Sequence, residues 1–185
     1  MSATRDFILS QIRLNKPEGS LEPDMELIKG FDLYGIQEFI NNLRSVNAEV
    51  TEVASYEEAI NQIFVIGEDF NRASLLEGVA NCDCEDNFIV DTLVARGEFG
   101  VAENGAIWVT EANVPSRQVL FSADKVILIL SKDSIVGNMH QAMGKINLAS
   151  QGYGVFVAGP SKTADIEQSL VIGAHGPKSL WVVMY

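Results

Sequence analysis

Residues 124–132 read "DKVILILSK". Five apolar residues in succession, Val126–Leu130, leave this segment no polar side to turn toward water. An unbroken apolar run of strand length is typical of a β-strand buried on both faces, as in a parallel sheet covered by helices. Such a strand needs neighbours that pair with it and layers that close over both of its faces. The sequence after it supplies both. "GNMHQAMGKIN" reads as a helix, "GYGVFVAG" as a strand, "TADIEQSLVIG" as a helix and "SLWVVMY" as a closing strand. Strand, helix, strand, helix, strand implies an α/β fold, with an open, mostly parallel sheet flanked by helices.

The first half fits the same plan. Phe7, Ile8, Ile12 and Leu14 fall at helical spacings, so residues 2–14 read as an amphipathic helix. "KPEGSLEPDMELIKG" carries two prolines and two glycines and reads as a linker. A second helix is expected from Tyr34 to Val46, with Ile36, Phe39, Ile40 and Leu43 on one face. "AEVTEV" alternates as a half-buried strand does. Ser55 is placed to cap the next helix, whose first turn holds Glu57 and Glu58, where the helix dipole favours acids. The stretch 87–112 consists of short β-rich runs broken by Gly97, Gly100 and Gly105, and suggests a hairpin or a small antiparallel extension. The domain plan is an N-terminal helix and linker over 1–30, then a single α/β domain over 31–185.

The 185 residues carry a net charge of −12, and no basic stretch stands out. Nucleic-acid binding needs a basic face to displace counterions, so nucleic acid is not expected as a partner; an anionic membrane surface is disfavoured for the same reason. No apolar run is long enough to cross a bilayer. The N-terminus does not read as a signal peptide, since Arg5 and Arg13 interrupt it. The expected location is therefore cytoplasmic. Cys82 and Cys84 are the only cysteines, and His140 and His175 the only histidines. Two thiolates are too few for an iron–sulfur cluster, which usually takes four. No metal or other cofactor is expected on this chain.

Chemically capable side chains concentrate near the C-terminus, in "AGPSKTADIEQSLVIGAHGP", residues 158–177. The expectation is a strand that stops at Pro160, then a helix capped by Ser161 or Thr163, with Asp165 and Glu167 at its start. Such a β–α junction, at the C-terminal edge of a parallel sheet, is where open α/β folds bind ligands. Ser161, Lys162 and Thr163 would then form an anion pocket at a helix N-terminus, with Asp165 and Glu167 orienting it. The segment is neither a Walker loop, lacking the second glycine, nor a dinucleotide G-x-G-x-x-G. His175 would lie at the far end of that helix, on the order of 15 Å from Ser161 at 1.5 Å per residue. It would shape a turn, or serve a site completed by another element or subunit. In "GVAENGAIWV", Asn104-Gly105 is a strong hairpin signal. Glu103 is either an exposed turn acid or a carboxylate able to act as nucleophile or base.

"GPSKTADIEQSLVIGAHGPKSLWVV" closely resembles the C-terminal signature of the LUD domain family, in particular its lactate utilisation protein C group. The pattern is G-P-S-[RK]-T-A-D-I-E, an apolar stretch, G-x-H-G-P and a closing strand, and every element is present from Gly159 to Pro177. "ARGEFGVAENGAIWV" resembles the family's Ala-Glu/Asp-Thr-Gly stretch, with Asn104 in place of threonine and Gly105 after it. The resemblance implies a fold like glucosamine-6-phosphate deaminase, ribose-5-phosphate isomerase and the CoA transferases. It also implies a part in oxidising L-lactate to pyruvate, as a non-redox component beside partner proteins that carry the iron–sulfur clusters, with a small anionic ligand held near Ser161–Glu167, Asn104 and Gly105. A different reading comes from "AENG", which is similar to the S-E-N-G stretch of family I CoA transferases. There Glu103 would attack an acyl-CoA thioester, in a stand-alone enzyme acting on a CoA or sugar-phosphate substrate.

Overall fold

A computed structural model of the chain describes residues 3–16, 35–66, 72–77, 79, 90–164, 170–173 and 175–185. Cys82, Cys84, Asp165, Glu167 and most of the linker lie outside the described residues.

Val126–Leu130 forms the buried strand that its composition requires. It belongs to β6 (Lys125–Leu130), the middle strand of a five-stranded, wholly parallel sheet. The others are β1 (Ala48–Glu52), β2 (Arg72–Ser74), β3 (Thr92–Arg96) and, last in the chain, β11 (Ser179–Met184). Their spatial order is β1-β11-β6-β3-β2. Register shows how two faces are built. Ala48, Leu180, Val126, Leu93 and Ala73 stand side by side across all five strands and join one apolar cluster. In the next row Ile127 and Val94 turn the other way into a second cluster, with Trp181 packed against it. Side chains alternate across a strand, so one sheet feeds two cores.

Helices cover both faces. Helix α1 (Ala3–Leu14) comes first in the chain and α2 (Ile36–Ser45) second. Phe39, Ile40 and Leu43 of α2 are fully buried in the first cluster. Helix α3 (Tyr56–Ile66) brings Ala59 and Ile63 to the second. Its start is capped as expected: Glu58 N–H donates to Ser55 Oγ at 3.2 Å, while the Glu58 carboxylate accepts from Ala54 N–H at 2.9 Å. This reciprocal arrangement satisfies donors that a helix N-terminus leaves open.

The β-rich middle builds a second sheet of four strands. These are β4 (Phe99–Val101), β5 (Ala106–Thr110), β7 (Ile135–Val136) and β8 (Gly154–Val157), in the order β7-β4-β5-β8. One face, with Ile107 and Val109, joins the first cluster. The other carries a cross-strand aromatic row, Phe99, Trp108 and Phe156, with Trp108 and Phe156 centroids 4.7 Å apart. Three short helices fill the remaining connections: α4 (Val119–Ser122), α5 (Met139–Lys145) and α6 (Leu148–Gln151). Ala142 of α5 packs on the aromatic face.

Two expectations are corrected here. "GYGVFVAG" is a strand, but it pairs antiparallel with β5 in the second sheet rather than extending the parallel one. "TADIEQSLVIG" is not a helix where it is described. Lys162–Ala164 is strand β9, and it pairs antiparallel with β10 (Leu170–Ile172). Helix propensity is a weak prior, and a strand pair that ties down both ends of the segment overrides it.

Candidate functional site

The turn between β4 and β5 forms at Ala102–Gly105, as the Asn-Gly pair predicts. Ala106 N–H donates to Asn104 Oδ1 at 3.0 Å, which closes the turn locally. Gly105 has φ +70°, and a Cβ there would lie 2.8 Å from Leu43 N. Glycine is therefore required twice, for the left-handed backbone and for the approach of α2. Glu103 is exposed, and its Oε2 accepts from Met139 N–H, the first of α5, at 2.9 Å. Asn138 Oδ1 accepts from Gln141 N–H and Gln141 Oε1 from Gly137 N–H, so three side chains together satisfy this helix start. Glu103 holds a helix terminus, a use for a carboxylate that its sequence position did not reveal.

The second stretch meets the same helix. Gly159, after β8, has φ +75°, and a Cβ there would lie 2.3 Å from Val46 O. The Lys162 ammonium donates to that carbonyl at 2.8 Å. Val46 is the C-terminal cap of α2, where unsatisfied carbonyls and the negative end of the helix dipole favour a cation. On the turn side, Asn42 Nδ2 donates to Ala102 O at 2.8 Å and to Glu103 O at 3.2 Å. The end of α2, from Asn42 to Val46, thus anchors both stretches singled out in the sequence. Nothing in the spacing of those stretches pointed to α2; the only trace was the pair of glycines that its approach demands.

With β9 a strand, the proposed anion pocket at a helix N-terminus has no helix to rest on. Lys162 points to α2, Thr163 lies within β9, and Asp165 and Glu167 lie outside the described residues. The expected separation of Ser161 and His175 is overturned as well. The strand pair folds the segment back on itself: Ser161 N–H donates to Pro177 O at 2.8 Å, and Gly173 N–H donates to Ser161 O at 2.9 Å. A Cβ on Gly176 would lie 3.0 Å from Ser161 Oγ, so the 175–177 loop runs directly against Ser161.

Ser161 and His175 consequently line one cleft of about 230 Å³. Leu120 and Phe121 of α4 form an apolar wall, and residues 155–160 run along the other side. Among the described residues, neither the Ser161 hydroxyl nor the His175 imidazole has a hydrogen-bond partner. Both are available to a ligand. The cleft can take a small molecule with an apolar portion against Leu120 and Phe121 and a polar group facing Ser161 and His175. Sequence reasoning missed Leu120 and Phe121, whose short helix gives no periodic signal. No group of three or more histidine, cysteine or acidic side chains converges among the described residues. No described helix is long and apolar enough to cross a membrane.

Comparison with known proteins agrees with this architecture. The chain is 35% identical over 98 residues to lactate utilization protein C of Geobacillus thermodenitrificans, a match covering 49% of this chain and 41% of that protein. Against lactate utilization protein C of Shouchella clausii it is 34% identical over 102 residues, covering 52% and 44%. The matched region thus spans less than half the length of these curated relatives. A DUF162 family protein from Deinococcus radiodurans has a similar fold, with a TM-score of 0.59 at 14% identity over 80% of this chain and 94% of that one. The LUD domain model matches residues 83–185, which hold the second sheet, the cleft, the strand pair and three of the five parallel strands. With more than half its length matched in this way, the chain belongs to the LUD domain family.

Proposed function

We propose that this chain is a component of L-lactate oxidation to pyruvate that holds a small carboxylate in the Ser161–His175 cleft and passes no electrons itself. Iron–sulfur partner proteins would take up the two electrons that leave lactate. The relatives' name supports the pathway, and one observation carries the site: the strand pair brings Ser161 and His175 to one cleft, with neither side chain hydrogen-bonded among the described residues. A hydroxyl and an imidazole N–H can both donate to a carboxylate.

Two measurements test this reading. Deleting the gene should abolish growth on L-lactate and leave growth on pyruvate intact. By calorimetry, Ser161→Ala and His175→Ala should each weaken L-lactate or pyruvate binding about tenfold or more, since a hydrogen bond to a charged group is worth about 1.5–3 kcal/mol. Unchanged growth on lactate sinks the pathway, and unchanged affinity sinks the cleft. Acyl transfer from a CoA thioester through Glu103 has the exposure of that carboxylate in its favour. The hydrogen bond from Met139 N–H supports a capping role instead. An acyl-enzyme trapped on Glu103, and lost in Glu103→Gln, would decide for transfer.

A further inference from the structure

The parallel sheet opens on a polar row. Arg72, Thr92, Lys125 and Ser179 begin β2, β3, β6 and β11, and they stand side by side in register. Side chains alternate across a strand, so these four share the face of Val94, Ile127 and Trp181, which join the second apolar cluster. A cavity of about 320 Å³ lies where three of the strands begin. It is lined by Thr92, Lys125 and Ser179, and by the residue before each: Asp91, Asp124 and Lys178. It shares no lining residue with the Ser161–His175 cleft among the described residues.

Thr92 is fully buried at this cavity, and its Oγ1 has no hydrogen-bond partner among the described residues. Beside it in the row, Arg72 Nη1 is buried without one as well, with the guanidinium over the Phe64 ring. Buried polar groups in folded proteins are nearly always partnered, so an orphan in a cavity wall marks a place for a ligand atom. Charge narrows the choice of ligand. Lys178 and Asp124 pair at 2.9 Å and neutralise each other. Lys125 and Arg72 against Asp91 then leave +1 among the described residues of the row and cavity. The Lys125 ammonium donates to Ile66 O at 3.4 Å and stands 5.8 Å from the Trp181 ring, and it keeps its full charge there. Two hydroxyls, an ammonium and a guanidinium all donate hydrogen bonds, the set that an oxyanion needs.

We propose that this cavity binds a phosphate group, free or on a small ester, with Thr92 and Ser179 donating from their hydroxyls and Lys125 and Arg72 supplying positive charge. A phosphate presents three acceptor oxygens to donors arriving from separate strands, where a carboxylate presents two. Asp91 faces the same cavity and opposes an anion. The cavity is separate from the cleft, so failure of either reading leaves the other standing. Calorimetry of the full chain with inorganic phosphate and with glycerol phosphate is the test. Inorganic phosphate should bind the parent. Thr92→Val keeps the side chain's shape and should weaken that binding about tenfold, the loss of one hydrogen bond to a charged group. It should not lower the urea midpoint in phosphate-free buffer, since the hydroxyl has no partner among the described residues. Asp91→Asn should tighten binding about two- to fivefold by removing a like charge, a gain that misfolding cannot produce. Tighter binding of the ester than of inorganic phosphate assigns the cavity to an ester; the reverse assigns it to the free ion. Phosphate held in the Ser161–His175 cleft instead would be indifferent to both substitutions. A parent that binds neither probe overturns the proposal, as does binding that either substitution leaves unchanged. So does a Thr92→Val chain that is less stable without phosphate, because the hydroxyl would then serve the fold.

Discussion

In the centre of the parallel sheet, Leu128 is fully buried, with Val182 beside it on one strand and Ala95 on the other. At the strand pair of residues 162–172 the contacts are of another kind. Ser161 and Pro177 are joined through backbone groups, Gly173 and Ser161 likewise, and Lys162 reaches a main-chain carbonyl. The first region is held by which side chains leave water, the second by where backbone comes close to backbone. Apolar side chains differ from polar ones in a sequence. Backbone donors and acceptors are the same at nearly every residue, so contacts built from them leave little trace.

The contrast can be broken from the sheet side first. Leu128→Ala removes buried methyl groups from the middle strand and should destabilise the fold by about 2–5 kcal/mol, read as a lower midpoint in urea. A loss under about 1 kcal/mol would mean that the sheet centre is not the main support. Gly159→Ala probes the other kind of contact. The new Cβ must bear a left-handed backbone, at about 1–2 kcal/mol. It must also displace Val46 O, which lies 2.3 Å away, so β8 and α2 shift apart. Lactate binding should weaken in this variant, because Gly159 also lines the cleft. Stability lost with binding intact would separate the anchor from the site. The smallest effect belongs to Lys162→Ala. An exposed charge at a helix C-terminus is worth about 0.3–1 kcal/mol. Lactate affinity should not change, since the ammonium is on α2; a tenfold loss would place Lys162 among the ligand's partners after all.

Much of the first region could be read beforehand. The run 126–130, the terminal "SLWVVMY" and the 3.6-residue spacing of Phe39, Ile40 and Leu43 all reflect burial, and each formed the expected element. Ser55, with Glu58 three residues on, marked a helix start that the structure shows. The candidate site was legible as an address and not as a geometry. Residues 159–161 and 175–177, from the stretch the sequence singled out, line one cleft, yet Ser161 and His175 were expected on the order of 15 Å apart. The error came from reading "ADIEQSL" by helix propensity while passing over Thr163, Val171 and Ile172, whose branched side chains favour strands. The parallel pairing assumed for β8 failed for a related reason. An apolar strand does not reveal which of two sheets it will join, and its partner β5 is more than forty residues earlier.

The place of β11 has a consequence for how the molecule is made. Val126 and Ala48 both pair with Leu180, so the strand between β1 and β6 is the last of the sheet's five to be synthesised. At about 5–20 residues per second, a few seconds separate the emergence of Leu130 from that of Leu180. Throughout that interval β6 has exposed edge groups and apolar faces that invite pairing with another nascent chain. The parallel sheet therefore closes like a gap filled by its final stave, and a chain cut before Ser179 leaves it in two unjoined pieces.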